Sequence, residues 1–140
     1  MGARHSGREA ALKMLFQMEA SGDDAEKVVQ LFWRNFAEEA EGREYADEVV
    51  RGIAAAGGAV DEQIAKASTH WRIERMARVD RNVLRLGAWE LMNRTDVPRA
   101  VVLDEAVELA KAYGTEESSS FVNGVLNRVA ESLGRKDTDR

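Results

Sequence analysis

Apolar residues recur every three or four positions along most of the chain, the period of an amphipathic helix rather than of a strand. Ala11, Met14, Leu15 and Met18 form one stripe and predict a first helix ended by Gly22. Ahead of them, Ser6-Gly7-Arg8-Glu9 fits a capping box, in which Ser6 accepts from the Glu9 backbone and Glu9 reaches back. A second helix is predicted from about Asp24 to Ala40, with Val28, Val29, Phe32 and Phe36 inward and Gly42 at its end. A third begins near Arg43 and keeps Tyr45, Val49, Ile53, Val60 and Ile64 in phase, with Gly57-Gly58 as a bending point.

Farther on, a short helical turn leads into a helix from about Asp80 to Asn93, with Asp80 as its cap. Pro98 marks a connection, "VVLDEAVELAKAYG" a helix closed by Gly114, and a last helix covers about Glu117 to Leu133. The final "RKDTDR" is a polar tail with nothing to bury. No strand alternation, fixed-period repeat or long linker interrupts this series. The expected fold is therefore all-α, a compact helical bundle of two small sub-bundles, about 1–68 and 69–134, in a single domain, with a tail at 135–140. Glu90 falls in the apolar stripe between Val83 and Leu86. A lone buried carboxylate is costly, so a partner from another helix is expected.

The formal net charge of −5 weighs against a polyanionic ligand unless a local basic patch receives it. No cysteine is present, which removes thiolate chemistry. No apolar run approaches a membrane span, and "MGARHSGREAALKML" does not read as a secretory signal. The catalytic inventory is thin. His5 and His70 are the two histidines, and His70 has no metal-ligand spacing around it. No Gly-rich phosphate loop, zinc-protease motif or nucleophile elbow occurs. Glu38-Glu39 and Glu116-Glu117 read as solvated faces. No enzymatic activity, metal or cofactor is expected.

Binding residues are better candidates. Arg4, His5 and Arg8 gather at the start of the first helix, where cations oppose the dipole but backbone N–H groups attract anions. A solvated terminus with incidental charge is the plain alternative. Phe16 lies with Leu12 off the main stripe, free to pack on another helix, meet a protein or stack on a base. Asn123-Gly124 sits inside the last helix although Gly there costs roughly 1 kcal/mol relative to Ala. Gly124 faces Glu117, Ser120, Asn127 and Arg128, away from the apolar half, so either another helix crosses closely or a ligand does.

"REAALKMLFQ", "VDRNVLRLGAWELM", "VPRAVVLDEAVELAKAYG" and "SSSFVNGVLNRV", in this order over nearly the whole length, resemble the NusB family of bacterial transcription antitermination factors. The resemblance implies two small helical bundles, no enzymatic activity and a cytoplasmic location. It also implies partnership with the small-subunit ribosomal protein NusE, and binding of single-stranded boxA RNA in antitermination complexes with RNA polymerase on ribosomal RNA operons. On the RNA side it points to Arg4, His5 and Arg8 and to Ser120 and Phe121; Lys13, on the same helix, and Asn123, whose amide at the border of the outer face can bond a neighbouring segment or a ligand, are added as candidates from their own positions. On the protein side it points to Phe16, Glu74 and Asp80. The family's arginine-rich start is reduced here to Arg4, His5 and Arg8, and Ser120 stands where a lysine occurs, so RNA binding is expected to depend strongly on NusE. The fold also resembles the amino-terminal domain of ribosomal RNA cytosine methyltransferases, but this sequence holds neither a methyl-donor-binding domain nor a cysteine nucleophile. A third reading is a self-association module, a homodimer burying Phe16 against another copy.

Overall fold

The computed structural model describes residues 2–36, 41–69 and 71–136; these are helices and connections, with no strand among them, in agreement with the expected all-α class. The chain divides into two compact units at Gly57/Gly58. The first holds α1 (Ala3–Ser21), α2 (Ala25–Asn35) and α3 (Arg43–Ala55). The second holds α4 (Ala59–Ala67), a 3-10 turn (Ile73–Arg75), α5 (Arg78–Asn93), α6 (Arg99–Tyr113) and α7 (Ser118–Ser132).

In the first unit, α1 starts upstream of the expected capping box. The Gly2 carbonyl accepts from the His5 and Ser6 N–H groups at 3.1 and 3.3 Å, so Ser6 lies inside the helix and caps nothing. Gly22 closes α1 in a left-handed conformation at φ 75°, its N–H donating to the Met18 carbonyl. Ala11, Leu12 and Met14 are fully buried, including the Leu12 expected off the stripe. Asp24 caps α2 by accepting from the Lys27 N–H at 2.9 Å. Helix α2 ends at Asn35, short of the expected Ala40, and Phe36 is exposed rather than inward, stacked on Phe32 with ring centroids 4.7 Å apart. The Glu38-Glu39 pair lies outside the described residues. Trp33 donates its Nε1–H to Asp47 at 2.7 Å and carries the Arg43 guanidinium over its ring, which ties α2 to α3.

Two glycines set how α1 meets α3. A Cβ on Gly7 would lie 2.8 Å from the Gly42 carbonyl, and one on Gly42 would collide with the Ala3 carbonyl and the Gly7 backbone. Gly42 also has φ 83°, a region that side chains disfavour. Both helices therefore begin at the same end, backbone against backbone.

The expected single long helix across residues 43–64 is two helices, because Gly57 turns left-handed at φ 61°. Val60, Ile64 and Ala67 are buried as α4 packs on α5 and α7, so α4 belongs to the second unit and the division falls ahead of residue 68. Helix α5 starts at Arg78 with no side-chain cap, so Asp80 is not the cap the spacing suggested. Gly87 lets α7 approach closely: a Cβ there would lie 2.6 Å from Leu126 Cδ1. Glu90 is fully buried, as its place in the stripe implied, and it is not left without a partner.

Arginines tie the helix ends of this unit together. Arg81 donates to the carbonyls of Ile73 and Met76, and Arg128 to the Ala67 carbonyl at the end of α4. Arg99, 4% exposed, donates to Asn127, Glu131 and the Arg135 carbonyl. Arg135 in turn donates to the Leu91 and Val97 carbonyls at 2.9 and 2.5 Å. Arg135 is thus part of the fold and not of a free polar tail.

Two stability measurements check these points by denaturant unfolding. Gly42→Ala is expected to cost about 3 kcal/mol or more, combining a disfavoured φ with a backbone collision. Gly22→Ala, with similar φ but nothing within 4 Å of the new Cβ, is the control and should cost about 1–2 kcal/mol. Equal losses would show that the close approach contributes nothing. Glu90→Ala, which leaves a partner group buried and unpaired, should cost about 3–5 kcal/mol and Glu90→Gln distinctly less.

Candidate functional site

Arg4, His5 and Arg8 occupy the first two turns of α1, whose first turn carries no acidic side chain. Positions i and i+4 share a helix face, and here both guanidiniums rest on the Tyr45 ring, Arg4 at 5.3 Å and Arg8 at 5.5 Å from its centroid. Their exposures differ. Arg4 is exposed, His5 half-buried, and Arg8 only 3% exposed. The three basic residues read from the sequence are therefore unequal: Arg4 is presented to solvent, whereas Arg8 is built into the packing of α1 on Tyr45. Lys13 and Phe16 are half-buried farther along α1. Lys13 borders a separate groove of about 390 Å³ with Leu31, Phe32 and Phe36; Phe16 does not line it.

In the second unit, Ser120 and Asn123 are exposed on α7 and Phe121 is half-buried. Phe121 meets Trp71 edge to face, with centroids 6.1 Å apart and planes at 77°. Both rings line a groove of about 340 Å³ that also takes in Arg75, Met76, Asp80 and Glu117. The Asp80 Oδ1 atom is buried with no hydrogen bond. Glu74 is exposed on the preceding 3-10 turn and does not line the groove. Asp80, read as a protein contact, thus shares one groove with Phe121, read as an RNA contact. Phe16, Arg4, His5, Arg8 and Lys13 belong to the other unit. His70 lies outside the described residues.

Sequence reasoning passed over Trp71, which is 59% exposed while Trp33 and Trp89 are buried. Its signal was present: an aromatic residue in a connection, out of helical phase and followed by Arg72. It also treated Arg128 only as a neighbour of Gly124. Among the described residues, a Cβ on Gly124 would meet nothing but the Arg128 Nη1 atom, at 3.8 Å. No group of three His, Asp or Glu side chains gathers to hold a metal among the described residues, and none of their helices is long and apolar enough to cross a membrane. The arrangement offers cations, aromatic edges and hydrogen-bonding groups, which suit binding.

The sequence model of the NusB family matches residues 5–131. Transcription antitermination protein NusB of Sorangium cellulosum (strain So ce56) is 71% identical over 140 residues, covering 100% of both chains. Its counterpart in Myxococcus xanthus (strain DK1622) is 46% identical, covering 96% of this chain and 99% of that one. Among solved structures, T. maritima NusB matches with a TM-score of 0.82 at 39% identity, over 91% of this chain and 90% of that one. A chain of the crystal structure of antitermination factors NusB and NusE in complex with dsRNA matches with a TM-score of 0.84 at 27% identity, over 93% and 97% of the two chains.

The unequal burial of the two arginines is open to a direct check by thermal or denaturant unfolding. Arg8→Ala is expected to lose about 1–3 kcal/mol of stability, through lost packing on Tyr45 as well as lost charge. Arg4→Ala should stay within about 0.5 kcal/mol of the wild type. A harmless Arg8→Ala would return Arg8 to the solvent-facing set.

Proposed function

The chain belongs to the NusB family, and on that premise we propose that it binds boxA-type nascent RNA together with ribosomal protein NusE. In that role it supports transcription antitermination on ribosomal RNA operons in the bacterial cytoplasm, as a binding factor and not as an enzyme. The observation that carries this reading is the likeness, over nearly the full chain, to the NusB-type fold crystallised with NusE and RNA.

Each surface has a role in the reading. Arg4, with His5 and Lys13, meets RNA phosphates. Arg8 positions Tyr45 and, through it, the Arg4 guanidinium. Ser120, Phe121 and Asn123 meet bases, and the exposed aromatic edge favours unpaired bases, because only those present a face for stacking. Phe16, Glu74 and Asp80 face NusE, with Asp80 at the groove where the protein and RNA contacts adjoin. Because few cations are presented, NusE supplies much of the affinity.

The test is a salt titration of RNA binding by the complex with NusE, using boxA-like and scrambled single strands. Each phosphate neutralised contributes a slope of about −0.7, so two or three contacts give about −1.4 to −2.1. Arg4→Ala should weaken both RNAs alike and flatten the slope by about 0.7, whereas Phe121→Ala should cost about 1–3 kcal/mol with the slope unchanged. An unaltered slope for Arg4→Ala would mean that RNA is held elsewhere, chiefly by NusE.

A further inference from the structure

Arg128 is exposed, yet one of its atoms is fixed. Its Nε–H donates to the Ala67 carbonyl at 2.6 Å, at the C-terminal end of α4. The Nη1 atom lies beside Gly124, 3.8 Å from where a Cβ would stand, and no side chain of that residue covers it. The nearby acid on the same helix is engaged elsewhere: Glu131 takes the Arg99 guanidinium at 3.0 Å and does not neutralise Arg128. An exposed guanidinium anchored through Nε, with Nη1 beside a glycine, is pre-organised for an oxyanion, because little further rotamer freedom is lost on binding.

The connection that receives Arg128 also carries Trp71. The Trp71 N–H donates to the Ser68 carbonyl and the Ser68 hydroxyl donates to the Ile64 carbonyl, which holds the turn against the end of α4. Trp71 is 59% exposed and meets Phe121 edge to face. Phe121 and Arg128 are seven residues apart on α7, roughly 10 Å along its axis. An exposed aromatic face beside Phe121 and a held cation about two turns farther along α7 are the two elements of a single-strand nucleic-acid subsite: one stacks a base, the other takes a backbone phosphate.

We infer that Trp71 and Arg128 extend the RNA path along α7 beyond Phe121, with Trp71 stacking on an unpaired base and Arg128 binding a phosphate of the same strand. The inference rests on the RNA-binding reading above and adds two residues to it.

The experiment uses the full chain with NusE and single-stranded RNA of boxA-like or scrambled sequence. Arg128→Gln removes the charge and keeps a donor for the Ala67 carbonyl; it should flatten the salt slope by about 0.7. Arg128→Lys should keep the slope. Trp71→Ala should weaken binding on the order of tenfold with the slope unchanged, and Trp71→Phe should recover part of that loss. On the wild-type chain, RNA should quench tryptophan emission and shield it from acrylamide, a change attributable to Trp71 because Trp33 and Trp89 are only 4% and 6% exposed. A folded Arg128→Gln with the wild-type slope overturns the proposal. So does RNA that leaves Trp71 as accessible as before, a result independent of how any variant folds. If NusE alone shields Trp71 and Trp71→Ala weakens NusE binding instead, the segment is a protein contact and the proposal also falls. A wild-type complex that binds neither RNA removes the underlying RNA-binding reading. A wild-type complex that binds RNA while Arg4→Ala flattens the slope and the Arg128 and Trp71 variants do not removes this proposal alone.

Discussion

A guanidinium that donates to carbonyls at a helix end does two things at once. It satisfies acceptors that have no partner within their own helix, and it puts positive charge at the negative end of the dipole. The second unit is organised by this interaction. Arg135 reaches the Leu91 carbonyl near the end of α5 and the Val97 carbonyl just before α6, while Arg99, at the start of α6, holds the main chain of Arg135 and two side chains of α7. Three helix ends therefore share one hydrogen-bonded cluster. Removing Arg135 leaves the carbonyls of two buried residues, Leu91 and Val97, unmet, which costs more than the bond itself is worth. Around that cluster, α5 can be buried on nearly every side, because its neighbours are fixed at their ends and not only along their faces.

The same commitment explains how an acidic chain can serve a polyanion. The net charge of −5 counts Arg99 and Arg135 as fully as Arg4. The field met by an approaching phosphate does not, since a guanidinium satisfied inside the fold adds little at the surface while an exposed one acts within a Debye length. Arg4 and Arg8 illustrate the division on one helix face: the same Tyr45 ring holds both, yet one is exposed and the other buried. Recognition by such a chain depends on where a few cations stand, and the total charge is a poor guide to it.

Helix existence was legible in the sequence because the apolar period is a local property. The burial of Glu90 was legible for the same reason: its phase among Val83, Leu86 and their neighbours fixes its direction. Helix starts were not. The spacing around Ser6 and Asp80 has the form of a cap, but α1 and α5 begin at Ala3 and Arg78, preceded by Gly2 and Ala77, which carry no capping side chain. Those starts are set by packing between distant segments, as where Gly7 meets Gly42, and no local window contains that information. The candidate site divided along the same line. Exposed Ser120 followed from helical phase, which sets it opposite the apolar half, and exposed Asn123 from its place at the border; Phe121 belongs by phase to the apolar half and is nevertheless partly exposed. The burial of Arg8 did not follow from phase, because pattern reading assigns an arginine to solvent until the ring beneath it is known. Trp71 was missed because it lies in a connection, where phase carries no meaning.

The glycines inside helices separate folding from function. Gly7 is required by the fold, since a Cβ there would lie 2.8 Å from the Gly42 backbone carbonyl, whereas one on Gly87 would push on the end of the Leu126 side chain at 2.6 Å. Gly124 differs: the one described atom near its Cβ position is a terminal nitrogen of Arg128, at ordinary contact distance. A glycine at mid-helix costs roughly 1 kcal/mol relative to alanine. At Gly7 and Gly87 the close packing of helices offsets that cost. At Gly124 no such packing is found among the described residues, and on the proposed RNA path the missing side chain lets a ligand backbone come close to α7 between Phe121 and Arg128. The Asn-Gly pair that looked out of place in a helix is thus consistent with a helix whose outer face serves an incoming strand and not a neighbouring helix.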